Sequence, residues 1–194
     1  KSEATNNQKR KQNKKSYTNM RRTVIDQLAF KLNAIAQNDE YVEKLMQGMN
    51  KFYTTTKPGN AELFVLFFPP STCKDTNQTF GNQTGNELKK SGIDIENVSV
   101  IEIFPFYHTT AANKFDQKLF SKLYKENEKF RNAINEYFTD CFTIEMKATE
   151  LENQKKTVYI GGQQAQKVYR EAFSENLVTR KPEQEGEISL LYSL

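Results

Sequence analysis

Leu63-Phe64-Val65-Leu66-Phe67-Phe68 is the longest apolar run of the chain, preceded by Ala61-Glu62 and bracketed by Pro58-Gly59 and Pro69-Pro70. A run with no polar face has to be covered on both sides, so a strand over residues 61–68 belongs at the centre of a parallel sheet. The downstream pattern fits that placement. A long polar connection over residues 71–85 leads to a short helical stretch at residues 87–90. Residues 98–104 then form a second apolar strand, which Pro105 stops. Phe115-Asp116 reads as a staple residue and N-cap, with Phe115 placed to meet Phe120. Leu119, Leu123, Phe130, Ile134 and Tyr137 continue one face of what should be the longest helix. A short strand at residues 142–146 follows. Thr157-Val158-Tyr159-Ile160 runs through Gly161-Gly162 into a helix with Ala165, Val168, Tyr169 and Phe173, and residues 188–194 supply a last strand. Strands alternating with helices over crossovers of this length predict an α/β domain, residues 57–194, of three layers around a central, mainly parallel sheet.

Upstream, Ile25, Leu28, Leu32 and Ile35 recur at helical spacing behind Thr23, which reads as an N-cap. Asn38-Asp39 separates this helix from a second one with Tyr41, Val42, Leu45, Met46, Met49 and Phe52 on one stripe. Residues 23–56 are therefore two helices placed before the first strand. The Met-bearing stripe either packs on the domain's own sheet or docks a partner. Residues 1–22 differ in kind. Lys1, Lys9, Arg10, Lys11, Lys14, Lys15, Arg21 and Arg22 stand against Glu3 alone, a charge of +7 in a chain whose total is +4, so the remainder carries −3. A basic arm without fixed structure on a mildly acidic body is either a solubilising leader or a contact for polyanions. The start at Lys1 reads as trimmed or processed.

With 194 residues, 37% of them apolar and 12% aromatic, the chain can fill one core, which excludes wholesale disorder. The apolar run is far short of the roughly 20 residues of a membrane span, and the polar N-terminus lacks the apolar segment of a signal peptide. A cytoplasmic protein without a membrane partner is expected. In that compartment Cys73 and Cys141 are free thiols, and the sequons at Asn77, Asn82 and Asn97 are accidents of an Asn-rich composition. One histidine and two distant cysteines give no metal-ligand pattern, and no cofactor is expected.

Ligands of parallel sheets bind beyond the carboxyl ends of the strands. Here those ends open onto residues 69–85, residues 105–113, residues 161–164 and the C-terminus. The first segment carries Ser71, Thr72, Asp75, Phe80, Asn82 and Gln83. An aromatic such as Phe80 on a polar loop either stacks a base, at about 1–3 kcal/mol per base, or anchors the loop to the core. His108 follows the second strand, where it faces a ligand cleft or serves as a hydrogen-bonded structural residue. Gly161-Gly162 is too short for a dinucleotide fingerprint. With Gln163 it opens a helix whose N-terminal dipole favours an anion, a nucleotide phosphate included.

Residues 63–68 followed by Pro-Pro-Ser-Thr-Cys-Lys-Asp-Thr, and residues 98–104 followed by Pro105-Phe106-Tyr107-His108-Thr109-Thr110, resemble an uncharacterised bacterial family. That family is marked by Asn-Pro-Ser-Thr-Ala-Asp and by a later Asn-Leu-Phe-x-x-Arg-Ala-Thr, and belongs with the uracil-DNA glycosylase-like superfamily. The resemblance spans residues 61–175 in order and spacing and is loose at single positions. It implies a glycosylase-like fold. Glycosylases of the superfamily use an Asp or Asn directly after the first strand to position water, and a His after the last strand to stabilise the departing base. Pro69 stands at the first position here, and Leu191-Tyr192-Ser193 at the second. Asp75 and His108 remain as the groups of a base-excision hydrolase with an unorthodox site. Without catalysis, Phe80 and Asn82 or Gln83 retain base recognition.

Some members of the family lie on staphylococcal cassette-type mobile elements beside a polymerase-like protein. The resemblance therefore implies a non-catalytic accessory subunit of a replication or priming assembly, which holds DNA, single strands favoured, and docks on a polymerase-like or primase protein. The nucleic-acid contacts expected are Lys9, Arg10, Lys11, Lys14, Lys15, Arg21 and Arg22 on the arm, with Ser71, Thr72, Phe80, Asn82, Gln83, His108, Gly161, Gly162 and Gln163 on the domain.

Overall fold

In the computed structural model, which describes residues 2–53, 57–67, 89–94, 97–108, 115–151, 156–173 and 189–191, eleven elements follow one another. They are α1 (Ser2–Ala36), α2 (Glu40–Met46), β1 (Met49–Lys51), β2 (Glu62–Leu66), β3 (Ser99–Glu102) and β4 (Phe106–His108), then α3 (Gln117–Glu126), α4 (Glu128–Leu151), β5 (Thr157–Gly161), α5 (Gln163–Ala172) and β6 (Ser189–Leu191).

The apolar run does form an interior strand. The main sheet has the order β3-β2-β5-β6, and every pairing in it is parallel, with Phe64 opposite both Val100 and Tyr159. Alternate residues of β2 supply two cores. Leu63 and Val65 point, with Ile101, Val158 and Ile160, into the large cluster. That cluster is closed by Leu28 and Leu32 of α1, Phe120 of α3, Phe130, Ile134 and Phe138 of α4 and Val168 of α5. Phe64 and Leu66 face the other way, where Val98, Val100 and Ile93 meet them and Tyr159 stacks on Phe64 at 4.7 Å. Ile93, from the β2–β3 crossover, is what the described residues contribute to the layer on that second face. The fold class is α/β, with α1, α3, α4 and α5 packed on one face of a parallel sheet.

Local chemistry explains where elements start. Asp39 Oδ1 accepts from the amides of Tyr41 at 2.9 Å and Val42 at 3.1 Å, capping α2. Asp116 Oδ1 accepts from Leu119 N at 2.9 Å, and Phe115 lies 6.1 Å from Phe120 between ring centroids, the expected start of α3.

Several boundaries differ from the sequence reading. Thr23 is no N-cap. It lies inside α1, where its hydroxyl donates to Asn19 O at 3.1 Å, and the basic segment belongs to the same helix. No Gly or Pro interrupts residues 1–36, and Lys, Arg, Gln and Ala favour helix, so nothing stops propagation toward the N-terminus. The second helix ends at Met46 rather than before Lys57, because Gly48 turns at φ 72 and sends residues 49–51 into β1. The longest helix expected after Asp116 is two helices: Asn127 ends α3, and its Oδ1 caps α4 by accepting from Phe130 N at 2.9 Å. The strand expected at residues 142–146 is helical, as part of α4. Phe138, Cys141, Phe142, Glu145 and Thr149 are all buried and share one helical face, a period that outweighs the β-branched content of this stretch.

Candidate functional site

The β3-β2-β5 order places the topological switch point between β2 and β5, whose carboxyl ends, Leu66 and Gly161, are partners in register. The chain is closely packed at that end. A Cβ on Gly161 would stand 2.7 Å from Leu66 Cδ2. Gly162, at φ +91, then turns the chain into α5, whose first turn has no side-chain cap. Gln164 Oε1 accepts from Ser121 Oγ at 3.0 Å and ties the start of α5 to α3. Gly161, Gly162 and the exposed Gln163 therefore stand together at the carboxyl end of β5. Ser71, Thr72, Asp75, Phe80, Asn82 and Gln83 lie outside the described residues, as do Cys73 and Tyr192-Ser193.

His108 is not open to solvent. It ends β4, which pairs antiparallel with β1, opposite Met49, and it is 8% exposed. Its Nδ1 has no hydrogen-bond partner among the described residues. Burial pulls its pKa below the ordinary imidazole value, so the ring is neutral at pH 7.

The basic residues of α1 divide sharply. Side chains at residues 6–13, 15 and 16 are exposed on every side of the helix, which presents Lys9, Arg10, Lys11 and Lys15 to solvent, and Arg22 is exposed as well. Lys14 belongs to the same helix. Arg21, expected on that surface, is instead 4% exposed. It lies against α4, where its charge and hydrogen bond oppose the upward push of burial on the Cys141 thiol. The reason is helical phase: Arg21, Ile25, Leu28 and Leu32 follow at spacings of four, three and four, on the face α1 turns inward.

At the root of the exposed half, α1 meets β1. Asp26 Oδ1 accepts from Lys51 Nζ at 2.7 Å and from the Tyr53 hydroxyl. Burial alone raises the Asp26 carboxyl, but the bonds from Lys51 and Tyr53 outweigh it and hold the pKa below its usual value. The same bond to Asp26 holds the Lys51 ammonium above its own. Arg22 and Lys51 each place their charge 5.6 Å from the Tyr53 ring centroid. This cluster has no local sequence signature, because its members are 25 and 27 residues apart.

A second charged group sits at the opposite, amino end of the sheet. Lys156 Nζ donates to Glu145 Oε1 at 2.5 Å, to Thr149 Oγ1 at 2.8 Å and to Asn60 O at 2.7 Å, while Gly59 N donates to Glu145 Oε1 at 2.7 Å. Burial draws the Lys156 pKa down against the pull of Glu145. The group links α4 to the segments entering β2 and β5. Its signal in the sequence is a lone Glu145 on the apolar face of a helix.

Among the described residues no three His, Cys, Asp or Glu side chains are grouped to hold a metal ion, and no helix is long and apolar enough to cross a membrane. No protein-family model, curated protein or solved structure matches the chain.

Proposed function

We propose that this chain is a nucleic-acid-binding α/β module, a non-catalytic accessory subunit that holds single-stranded DNA in a cytoplasmic replication or priming assembly and docks there on a polymerase-like or primase protein. The observation that carries the reading is α1, a helix rooted in the core whose exposed half presents Lys9, Arg10, Lys11 and Lys15 free of the body. Each single-strand phosphate neutralised contributes about 0.7 to the salt slope, so these four with Arg22 support a slope of about 3.5. A uracil-DNA glycosylase-like fold is supported by the parallel sheet, in which β2 and β3, the strands that precede the two segments of the resemblance, are neighbours. The hydrolase alternative, through Asp75 or His108, is weakened by the burial of His108, which is 8% exposed.

The test is fluorescence anisotropy of a labelled oligothymidylate over a salt series. Wild type is expected to bind at low salt, and replacing Lys9, Arg10, Lys11 and Lys15 by Ala is expected to lower the slope by about 2.8. Absence of wild-type binding at low salt overturns the proposal. Abasic sites formed in uracil-containing single strands would move the reading to the hydrolase.

A further inference from the structure

We infer that the single-strand path along α1 continues onto the body of the domain at Arg22, Tyr53 and Lys51, and that Asp26 occupies there the position a phosphate takes in the complex. The inference rests on the reading of α1 as a polyanion contact and adds the place where the strand meets the fold. Lys11, Lys15 and Arg22 stand four and seven residues apart, within about 40° of one another around the helix axis. Asp26 is the next member of that line, four residues on.

The line reaches the fold at Arg22, since neighbouring Arg21 is already buried. There the guanidinium of Arg22 and the ammonium of Lys51 flank the Tyr53 ring. Tyr53 is partly buried against the core, so its ring fixes the two cations in place, and a strand passing over them sets its phosphates on the charges. Asp26 Oδ1 accepts from both Lys51 Nζ and the Tyr53 hydroxyl, and two donors converging on one anionic oxygen is also how a phosphate oxygen is held. The Lys51 and Asp26 side chains are 43% and 50% exposed. A phosphate reaches the ammonium without opening the fold, and an exposed ion pair of this kind yields readily. Asp26 thus keeps both donors ordered in the free protein and withholds one cation until a phosphate replaces it.

The test uses the full chain and the labelled oligothymidylate. Lys51→Ala is expected to weaken binding and lower the salt slope by about 0.7, so that the affinity lost between about 50 and about 200 mM salt shrinks by about 2.6-fold. Lys51→Arg should keep the slope, and Asp26→Asn should bind more tightly than wild type with a steeper slope. Circular dichroism confirms that each variant is folded. If Lys51→Ala and Asp26→Asn both bind as wild type while the fourfold α1 variant is weakened, this inference fails and the α1 reading stands. Weaker binding by Asp26→Asn makes Asp26 a brace for Lys51 rather than a stand-in for phosphate, and also overturns it. Failure of wild type to bind removes both.

Discussion

Lys156→Met removes the ammonium to which Glu145 is bonded in the interior. The two side chains are 2% and 0% exposed, and Lys156 Nζ makes three hydrogen bonds, to Glu145, Thr149 and Asn60 O. Methionine preserves the bulk of the lysine stem, so the loss is electrostatic rather than a cavity. The carboxyl is left with Gly59 N at 2.7 Å on Oε1, and Oε2 has no partner among the described residues. Breaking a buried pair from one side costs about 3–5 kcal/mol. At the usual unfolding entropy per residue, a chain of this length then loses about 7–12 °C in Tm. Adding Glu145→Gln removes the stranded charge while keeping an acceptor for Gly59 N, and is expected to recover about 1–3 kcal/mol. Urea and thermal denaturation followed by circular dichroism measure both. A loss below about 1 kcal/mol for Lys156→Met, or a double variant whose loss is the sum of the singles, would refute the placement of α4 over the entries to β2 and β5.

His108 gives the domain an acid sensitivity: its folded pKa lies below the ordinary 6.5, so the unfolded chain takes up the proton first. Its stabilising contribution is complete above that value and is lost as pH falls through the lowered one. Urea midpoints at about pH 7 and about pH 5 should therefore fall further apart for wild type than for His108→Gln, and equal spacing would count against a buried neutral ring. Asn127→Ala loses the α4 cap to Phe130 N and the bond from Nδ2 to Asp39 Oδ2 at 2.9 Å. A loss of about 1–2 kcal/mol by urea denaturation is expected, whereas no change would place the cap elsewhere.

The central strand and the parallel sheet were legible because residues 63–68 admit one environment, buried on both faces. Asp116 was legible as a cap because a cap is a local bond, whereas Asp39, read as a break between helices, turned out to cap the second one. The expected strand at residues 142–146 was misread because Phe142, Ile144 and Met146 alternate like a strand over five residues, and only the longer window from Phe138 to Thr149 shows the helical period. Arg21 was counted with the basic arm because composition ignores phase: one step along the helix separates an interior Arg21 from an exposed Arg22. The Asp26–Lys51–Tyr53 and Glu145–Lys156 groups were invisible in principle, since they form only when α1 meets β1 and when α4 meets the strand entries. The sequence also directed attention to the carboxyl ends of the strands, where Gly161, Gly162 and Gln163 stand at the end of β5.

A free peptide of the first sixteen residues would have to start its own helix, with an equilibrium weight of about 10⁻³ for the first turn. In the intact chain that start is made by Ile25, Leu28 and Leu32, locked into the core at 3%, 1% and 0% exposure. The basic half therefore only propagates a helix already begun, each residue adding its own hydrogen bond. Its order is borrowed from the domain. Any change that loosens the core's grip on those three side chains also unwinds the charged half, so the spacing of its cations is only as durable as the packing some distance away.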